Sequence, residues 1–197
     1  MAQADTPPSP LLDGSGLAIG MVVARYNWHI TGAMFHCAQE ELKRLGVAAE
    51  DMRIVYTPGA FELATVAQAM LLNGRYDALI CFGCVMRGET RHDIVVGDAA
   101  AQGIQRIALE LHTPIIFGVM TVENLHQAQE RITRGKECAQ AAVEMAHTIR
   151  TLKNSDSALL SEASGCSSPL QRGSVGARNV SKERQLSKGD EDVHRNS

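Results

Sequence analysis

ALICFGCVMRGETRHD, residues 78–93, is the stretch from which the fold class can be inferred. Its first part, Ala78 to Gly83, is an unbroken apolar run, which is typical of a strand buried on both faces of a parallel sheet. Its second part becomes charged at Arg87 and ends with acidic, hydroxyl and imidazole side chains. A plain connecting loop needs only turn-forming residues. We therefore expect a buried strand that ends in a functional loop.

Strand and helix patterns alternate along the rest of the chain. Three further apolar runs predict strands at 17–23, 53–56 and 114–120. Helical spacing of apolar residues predicts helices at 32–46, 61–73, 99–111, 124–131 and 136–152. Alternating strands and helices indicate an α/β protein with a four-stranded parallel sheet that is covered by helices on both faces.

The composition is that of a globular protein with a sizeable core. The chain has 197 residues, 45% of them hydrophobic, and a formal net charge of −3. It has no basic stripe or polybasic cluster, which argues against binding to nucleic acid or to a membrane surface. The longest apolar run, 17–24, is too short to span a bilayer. The first ten residues, MAQADTPPSP, do not resemble a signal peptide, so we predict a cytoplasmic location.

Changes in composition divide the chain into three parts. Residues 1–15 are rich in proline and predict a flexible N-terminal arm. Residues 154–197 contain ten serines and no aromatic residue. Such a segment cannot bury enough apolar surface to offset its ordering entropy, so we predict a disordered Ser-rich tail. The folded domain is predicted to span residues 16–153.

The cysteines indicate free thiols. Their number is odd, and they stand at Cys37, Cys81, Cys84, Cys138 and Cys166. Cys81 and Cys84 have the spacing of a C-x-x-C motif, but they lie in a predicted strand, and no further ligands stand at the spacing of a zinc site. We therefore predict no metal and interpret both residues as small buried side chains.

Four segments that follow the predicted strands are rich in functional groups. They are ARYNWH (24–29), TPGAFE (57–62), CVMRGETRH (84–92) and MTVEN (120–124). In an open parallel sheet, ligands bind beyond the carboxyl ends of the strands. We therefore expect these segments to meet at one edge of the sheet and to form one site.

The segment RGETRH has the chemistry of an anion site with a proton carrier. Gly88 would let the backbone approach an anion closely, and the amides of Glu89 and Thr90 would point toward it from a helix start. The alternative is that Thr90 merely caps the helix. His92 follows at once and suits general acid–base catalysis near neutral pH.

The other segments offer aromatic, amide and carboxylate groups. Tyr26 and Trp28 could stack on a planar heterocycle, or they could belong to the core. Asn27 would offer amide hydrogen bonds, and Glu62 suits polyol hydroxyls, although a carboxylate at a helix start is also favourable without any function. Arg131 is an ordinary surface arginine unless it reaches the anion loop.

Five motifs occur here in the order and spacing of the lumazine synthase family. They are RYN (25–27), PGAFE (58–62), GCVMRGETRHD (83–93), FGVMTVENLHQAQER (117–131) and AVEMA (142–146). The chain resembles this family from Leu17 to Leu152. The resemblance implies a flavodoxin-like fold and a transferase that needs neither cofactor nor metal. Its reaction condenses 5-amino-6-(D-ribitylamino)uracil with 3,4-dihydroxy-2-butanone 4-phosphate, the penultimate step of riboflavin biosynthesis, and releases phosphate and water.

The resemblance also implies a role for each matched residue. His92 corresponds to the catalytic histidine. Glu89, Thr90 and Arg131 correspond to the phosphate site, where Arg131 reaches in from a neighbouring subunit. The residues matched to the aminouracil and its ribityl chain are Tyr26, Asn27, Ala60, Phe61, Glu62, Cys84, Val85, Met86 and Phe117. Whether Tyr26 or Trp28 stacks on the pyrimidine stays open.

The resemblance further implies a homo-oligomer with active sites at subunit interfaces. The family forms pentamers, decamers or sixty-subunit icosahedral shells, and riboflavin synthase is a further partner that the resemblance allows. This chain departs from the family in a shorter link, RITRGKEC (131–138), where Arg134 or Lys136 replaces the usual lysine. It also carries the pair His92–Asp93 where a histidine followed by an aromatic residue is common.

Two other functions fit parts of the pattern. The archaeal type of riboflavin synthase is related, but it would not need the phosphate site that the Gly-Glu-Thr loop and Arg131 predict. A non-catalytic flavin- or lumazine-binding shell protein would need the stacking residue but neither His92 nor Arg131. Product formation with parallel phosphate release would separate these alternatives.

Overall fold

The computed structural model describes residues 12–164, with side chains through residue 155. The predicted N-terminal arm lies mostly outside this range, and so does the predicted tail from residue 165 onward. Both therefore stay predictions in those parts. Within the described residues, no helix is both long enough and apolar enough to cross a membrane.

Within residues 12–164, four strands alternate with helices, of which there are five. The strands are β1 (Ile19–Ala24), β2 (Met52–Thr57), β3 (Ala78–Met86) and β4 (Ile115–Val122). The helices are α1 (Trp28–Arg44), α2 (Leu63–Asn73), α3 (His92–Glu110), α4 (Leu125–Glu130) and α5 (Arg134–Ser164), and a short 3-10 turn, Ala49–Asp51, precedes β2.

The strands form one parallel sheet in the order β2-β1-β3-β4. Successive side chains of a strand point to opposite faces, and each face has its own core. Met21 and Val23 of β1 pack with α1 and α5, whereas Val22 and Ala24 pack with α2 and α3. The predicted α/β class and the four-stranded parallel sheet with helices on both faces are confirmed, and the arrangement is that of a flavodoxin-like fold.

Several elements are longer than the sequence pattern predicts. β3 continues to Met86 because its ladder with β4 extends that far, beyond the end of the apolar run at Gly83. α3 begins at His92 rather than Ala99, although its first turns are rich in β-branched residues with weak helical preference. α5 continues to Ser164 rather than ending near 152, since the chain beyond Lys153 still contains alanine, leucine and glutamate. The predicted boundary at 153/154 thus lies inside a helix.

The N-terminal boundary also differs from the prediction. The amide of Gly14 donates to the backbone oxygen of Leu45 at 2.6 Å. Leu12 packs against the core cluster of α1 and α5. The residues from Leu12 to Ser15, predicted as part of a flexible arm, are therefore in contact with the folded domain.

A buried carboxylate joins α1 to α5. Glu41 is 5% exposed and accepts hydrogen bonds from Arg44 Nε at 2.8 Å, from Arg44 Nη2 at 2.6 Å and from Gln140 Nε2 at 2.6 Å. Lys136 Nζ lies 3.8 Å from the Oε2 atom of Glu41. The hydrogen bonds from Arg44, assisted by Gln140 and the nearby positive charges and opposed by burial, lower the pKa of Glu41 to about 2.

We expect Glu41→Gln to lower the free energy of unfolding by about 1–2 kcal/mol at neutral pH, because hydrogen bonds to a charged group are lost. The pKa of Glu41 is lower in the folded state, so its stabilising contribution is present above pH 4.5 and is lost as the pH falls toward about 2. Denaturant unfolding across this pH range should show the difference between wild type and variant shrinking in acid.

Glu40→Gln is the matched control, since Glu40 lies next in the chain but its ion pair with Lys43 is exposed to solvent. It should leave the denaturation midpoint almost unchanged. An equal loss in both variants, or a deficit in Glu41→Gln that does not depend on pH, would contradict the role given to the buried carboxylate.

Candidate active site

A cavity of about 460 Å³ lies at the carboxyl edge of the sheet. It is bounded by the ends of β1 and β3, the turn between β2 and α2, and the start of α3. Its lining consists of Tyr26, Asn27, Gly59, Ala60, Phe61, Glu62, Cys84, Val85, Met86, His92 and Val96. Three of the four segments that were expected to form one site therefore line this cavity, whereas the fourth, 120–124, contacts the loop after β3 at the same edge but lines a different cavity.

The cavity brings together most of the residues predicted for the site. All the positions matched to the aminouracil and its ribityl chain line it, with the exception of Phe117, and His92 lines it as well. Sequence reasoning missed Gly59 and Val96 as lining residues. Gly59 lies inside the PGAFE motif, so a signal was present, whereas Val96 belongs to a part of α3 that was not predicted as helix.

The two candidate stacking residues have different surroundings. The side chain of Tyr26 is 72% exposed and lines the cavity, and a Cβ added to Gly59 would stand 3.1 Å from its ring. Trp28 instead contacts the edge of Tyr56, with ring centroids 5.7 Å apart, and lines a separate shallow cavity with Tyr56 and Arg25. The geometry thus favours Tyr26 over Trp28 as the ring that can meet a ligand in this cavity.

The turn after β2 is closed by short-range hydrogen bonds. The amide of Gly59 donates to Glu62 Oε2 at 2.9 Å, and the hydroxyl of Thr57 donates to the backbone oxygen of Gly59 at 3.0 Å. Glu62 stands at the N-cap of α2. These bonds hold the Glu62 carboxylate at the cavity wall, where its remaining lone pairs suit hydroxyl donors.

The cysteines near the site are free, buried thiols. Cys81 lies in the core, and burial raises its pKa to about 12. Cys84 is 4% exposed at the cavity, and burial raises its pKa to about 11. A thiol with such a pKa is protonated at neutral pH and is a poor nucleophile. Cys84 therefore contributes a small apolar surface, as the sequence predicted.

The loop between β3 and α3 is exposed and leads directly to His92. A Cβ added to Gly88 would meet nothing within 4 Å, so the backbone there is open to a ligand. Glu89 and Thr90 lie in the same exposed turn. The N-cap of α3 is Arg91 and has no side-chain cap, so the alternative role of Thr90 as the helix cap is not observed. His92 is the first residue of α3.

Phe117 and Arg131 do not reach this cavity within one chain. Phe117 lies in the middle of β4, beside Cys81, and its side chain is partly exposed on the sheet edge. Arg131 ends α4, where its Nη1 donates to the backbone oxygen of Gln127 at 3.0 Å. Both side chains are exposed in the single chain.

A second, polar cavity of about 270 Å³ lies on the other side of the first turn of α3. Arg87 and Arg91 line it, and Arg87 pairs with Glu123 at 3.1 Å. Asp93 also lines it, and its buried Oδ1 has no hydrogen-bond partner. The sequence analysis did not predict a separate cavity here, although Thr121, Val122 and Glu123, which line it, belong to the segment 120–124 that was expected at this edge. Within residues 12–164, no group of three or more histidine, cysteine or acidic side chains is arranged to hold a metal.

Comparison with known families agrees with this geometry. Residues 16–150 match the family model described as 6,7-dimethyl-8-ribityllumazine synthase. The match covers most of the chain and includes every element from β1 to α4 and the first part of α5. The chain therefore belongs to the 6,7-dimethyl-8-ribityllumazine synthase family, a family of transferases in riboflavin biosynthesis.

Proposed function

We propose that this chain catalyses the condensation of 5-amino-6-(D-ribitylamino)uracil with 3,4-dihydroxy-2-butanone 4-phosphate, with release of phosphate and water. The observation that carries the proposal is the meeting of Tyr26, Glu62 and His92 in one cavity beside an open glycine loop. These are an aromatic ring, a polyol acceptor and a proton carrier. They are the groups that the two substrates require.

The aminouracil is proposed to bind with its ring on Tyr26 and its ribityl chain toward Glu62. A planar pyrimidine gains from stacking on an aromatic face. The hydroxyls of the ribityl chain donate to the Glu62 carboxylate, which the amide of Gly59 already orients. Cys84, Val85 and Met86 form the opposite wall, where the neutral thiol adds no charge.

The phosphate of the second substrate is proposed to bind at the exposed loop from Gly88 to Thr90. Backbone amides at a helix start bind anions well. The Glu89 side chain must face away from the phosphate, because both are negative. Arg131 of a neighbouring copy is proposed to complete the site with bidentate contacts. This assignment is supported by the exposure of Arg131 and by its absence from the cavity of its own chain.

His92 is proposed to move protons during imine formation. The aromatic amine attacks the ketone carbon, and the carbonyl oxygen must gain protons before it leaves as water. Elimination then breaks the bond from carbon to the phosphate oxygen, and a second condensation closes the ring. An imidazole at the cavity wall can give and take these protons. Much of the rate should still come from holding the two substrates together.

The active oligomer is proposed to be a pentamer, which is the smallest assembly of the three that the family resemblance implies. Apolar side chains of α3, among them Ile94, Val95 and Leu109, are exposed in the single chain. An apolar groove of about 600 Å³ lies near the start of β4, between α3 and α5, and is lined by Leu109, Ile115, Ile116, Met145, Ile149 and Leu152 among others. Exposed apolar surface of this kind is typical of subunit interfaces. Light scattering would give the assembly size.

We expect Tyr26→Ala to raise KM for the aminouracil with little effect on KM for the butanone phosphate. Stacking of a base on an aromatic ring contributes about 1–3 kcal/mol. Trp28→Ala is the matched control, since Trp28 is also exposed but packs on Tyr56 outside the cavity. Steady-state kinetics with each substrate varied in turn would test this. If only Trp28→Ala shows the selective increase, Tyr26 is not the stacking residue.

We expect Arg131→Ala to weaken the phosphorylated substrate selectively and to leave folding intact. Arg131→Lys should recover part of the affinity, because lysine keeps the charge but cannot make the bidentate contact. The measurement is KM for each substrate, with the assembly mass determined on the same samples. Equal weakening of both substrates together with a smaller assembly would show a damaged interface and no phosphate contact.

We expect His92→Ala to lower kcat by about tenfold to a hundredfold, toward the low end of what positioned proton transfer contributes, with little change in either KM. Steady-state kinetics of the purified variant and wild type would give both constants. His36→Ala, an exposed histidine on α1 far from the cavity, is the control.

Comparison of kcat among wild type, His92→Ala and His36→Ala separates proton transfer by His92 from simple positioning of the substrates. An unchanged kcat in His92→Ala would remove His92 from the mechanism. Binding of lumazine or flavin by the wild type without any turnover or phosphate release would instead favour the non-catalytic binding protein.

A further inference from the structure

A side-chain hydrogen bond joins the ends of β1 and β3 at the cavity. Nδ2 of Asn27 donates to the backbone oxygen of Cys84 at 2.8 Å. The ladder between the two strands ends earlier, at the pair Val23 and Phe82. Asn27 therefore donates a hydrogen bond to β3 at Cys84, beyond Phe82, where β1 no longer pairs with β3.

The backbone of Asn27 is shaped for this contact. It has the left-handed conformation, with φ 57° and ψ 42°. Asparagine adopts this region more readily than most residues. Asn27 stands at the N-cap of α1, yet its side chain makes no cap hydrogen bond. In this conformation the side-chain amide of Asn27 contacts β3 and does not cap α1.

The bond spans two walls of the cavity. Tyr26 precedes Asn27 on one wall, and Val85 and Met86 follow Cys84 on the other. An unpaired backbone oxygen at this partly buried position would be unfavourable. Loss of the Asn27 amide should therefore let the end of β3 move relative to the Tyr26 ring.

We propose that Asn27 is a positioning residue that fixes the gap between Tyr26 and the end of β3, and so the fit of the pyrimidine ring. The link from Asn27 to catalysis rests on the proposed function, whereas the hydrogen bond is seen in the structure. The family resemblance assigns Asn27 to substrate contact. The structure commits its Nδ2 to the protein and leaves Oδ1 as the atom that could accept from a ligand.

Two variants separate positioning from ligand contact. Asn27→Asp has nearly the same shape and keeps an acceptor oxygen, but it has no donor for Cys84. Aspartate also tolerates the left-handed region and is a favoured N-cap, so the start of α1 should be retained. Asn27→Gly keeps the positive φ and removes the whole side chain. A positioning bond is lost in both variants, whereas a ligand contact through Oδ1 is lost only in glycine.

The first measurement uses the free protein. The rate of alkylation of the Cys84 thiol, mapped by mass spectrometry, reports the freedom of the β3 end. Fully buried Cys81 on the same strand is the internal reference. We expect the Cys84 rate to rise about fivefold or more in Asn27→Gly, as for a local loss of about 1 kcal/mol. It should rise further in Asn27→Asp, where a carboxylate faces the Cys84 oxygen.

Asn73→Asp is the matched control. Nδ2 of Asn73 also donates to a backbone oxygen at 2.8 Å, that of Ala69, at the far end of α2. Its loss should leave the Cys84 rate and both KM values unchanged. A change of the Cys84 rate in this variant as large as in the Asn27 variants would overturn the assignment.

The second measurement is steady-state kinetics. Both Asn27 variants should raise KM for the aminouracil about tenfold, with KM for the butanone phosphate and the melting temperature near those of the wild type. An unchanged Cys84 rate in both variants, or an aminouracil KM that rises in Asn27→Gly only, would overturn the proposal. So would a faster Cys84 rate without any change in KM. If the wild type lacks turnover, the proposed function fails, whereas the alkylation result still decides whether the bond holds the end of β3.

Discussion

β3 pairs with β4 over more residues than it pairs with β1. The candidate site lies beside the end of β3, where β1 is no longer its neighbour. The ladder with β1 ends at Phe82, whereas the ladder with β4 continues to Met86. A longer β1 would place a strand where the cavity now lies. Because β1 ends at Ala24, the chain can turn there and bring an aromatic ring and an amide over the exposed end of β3. This difference in strand length leaves room for Tyr26 and Asn27 beside the end of β3.

Much of the fold could be predicted because its two central strands, β1 and β3, are buried on both faces over most of their length. Such strands have continuous apolar runs, and the run from Ala78 to Gly83 predicts the central strand directly. The final residues of β3 could not be predicted in this way. They stay extended because of pairing with β4, and apolar spacing carries no information about a partner strand. The early start of α3 at His92 and the length of α5 were missed for a similar reason, since propensity near helix ends is weak evidence.

The sequence predicted which segments line the cavity, but it did not decide which of Tyr26 and Trp28 lines it. The rule that ligands bind beyond the carboxyl ends of parallel strands placed the right segments together. It could not choose between Tyr26 and Trp28, because the left-handed turn at Asn27 separates them and no sequence period reports a positive φ. Phe117 and Arg131 are absent from the cavity of their own chain, so their predicted roles depend on an assembly that a single chain does not describe.

The two halves of the proposed site differ in how they are held. The half for the aminouracil is fixed within one chain, since Glu62 is tied to Gly59 and Asn27 is tied to Cys84 before any ligand arrives. The half for the phosphate is an exposed turn, which under the proposal is completed by Arg131 of another copy. A catalyst that works largely by holding two substrates together gains most when both halves are in place. Under the proposed mechanism, an isolated chain would therefore keep the binding site for the pyrimidine ring but lose the Arg131 contact to the phosphate of the second substrate. Activity would then depend on assembly.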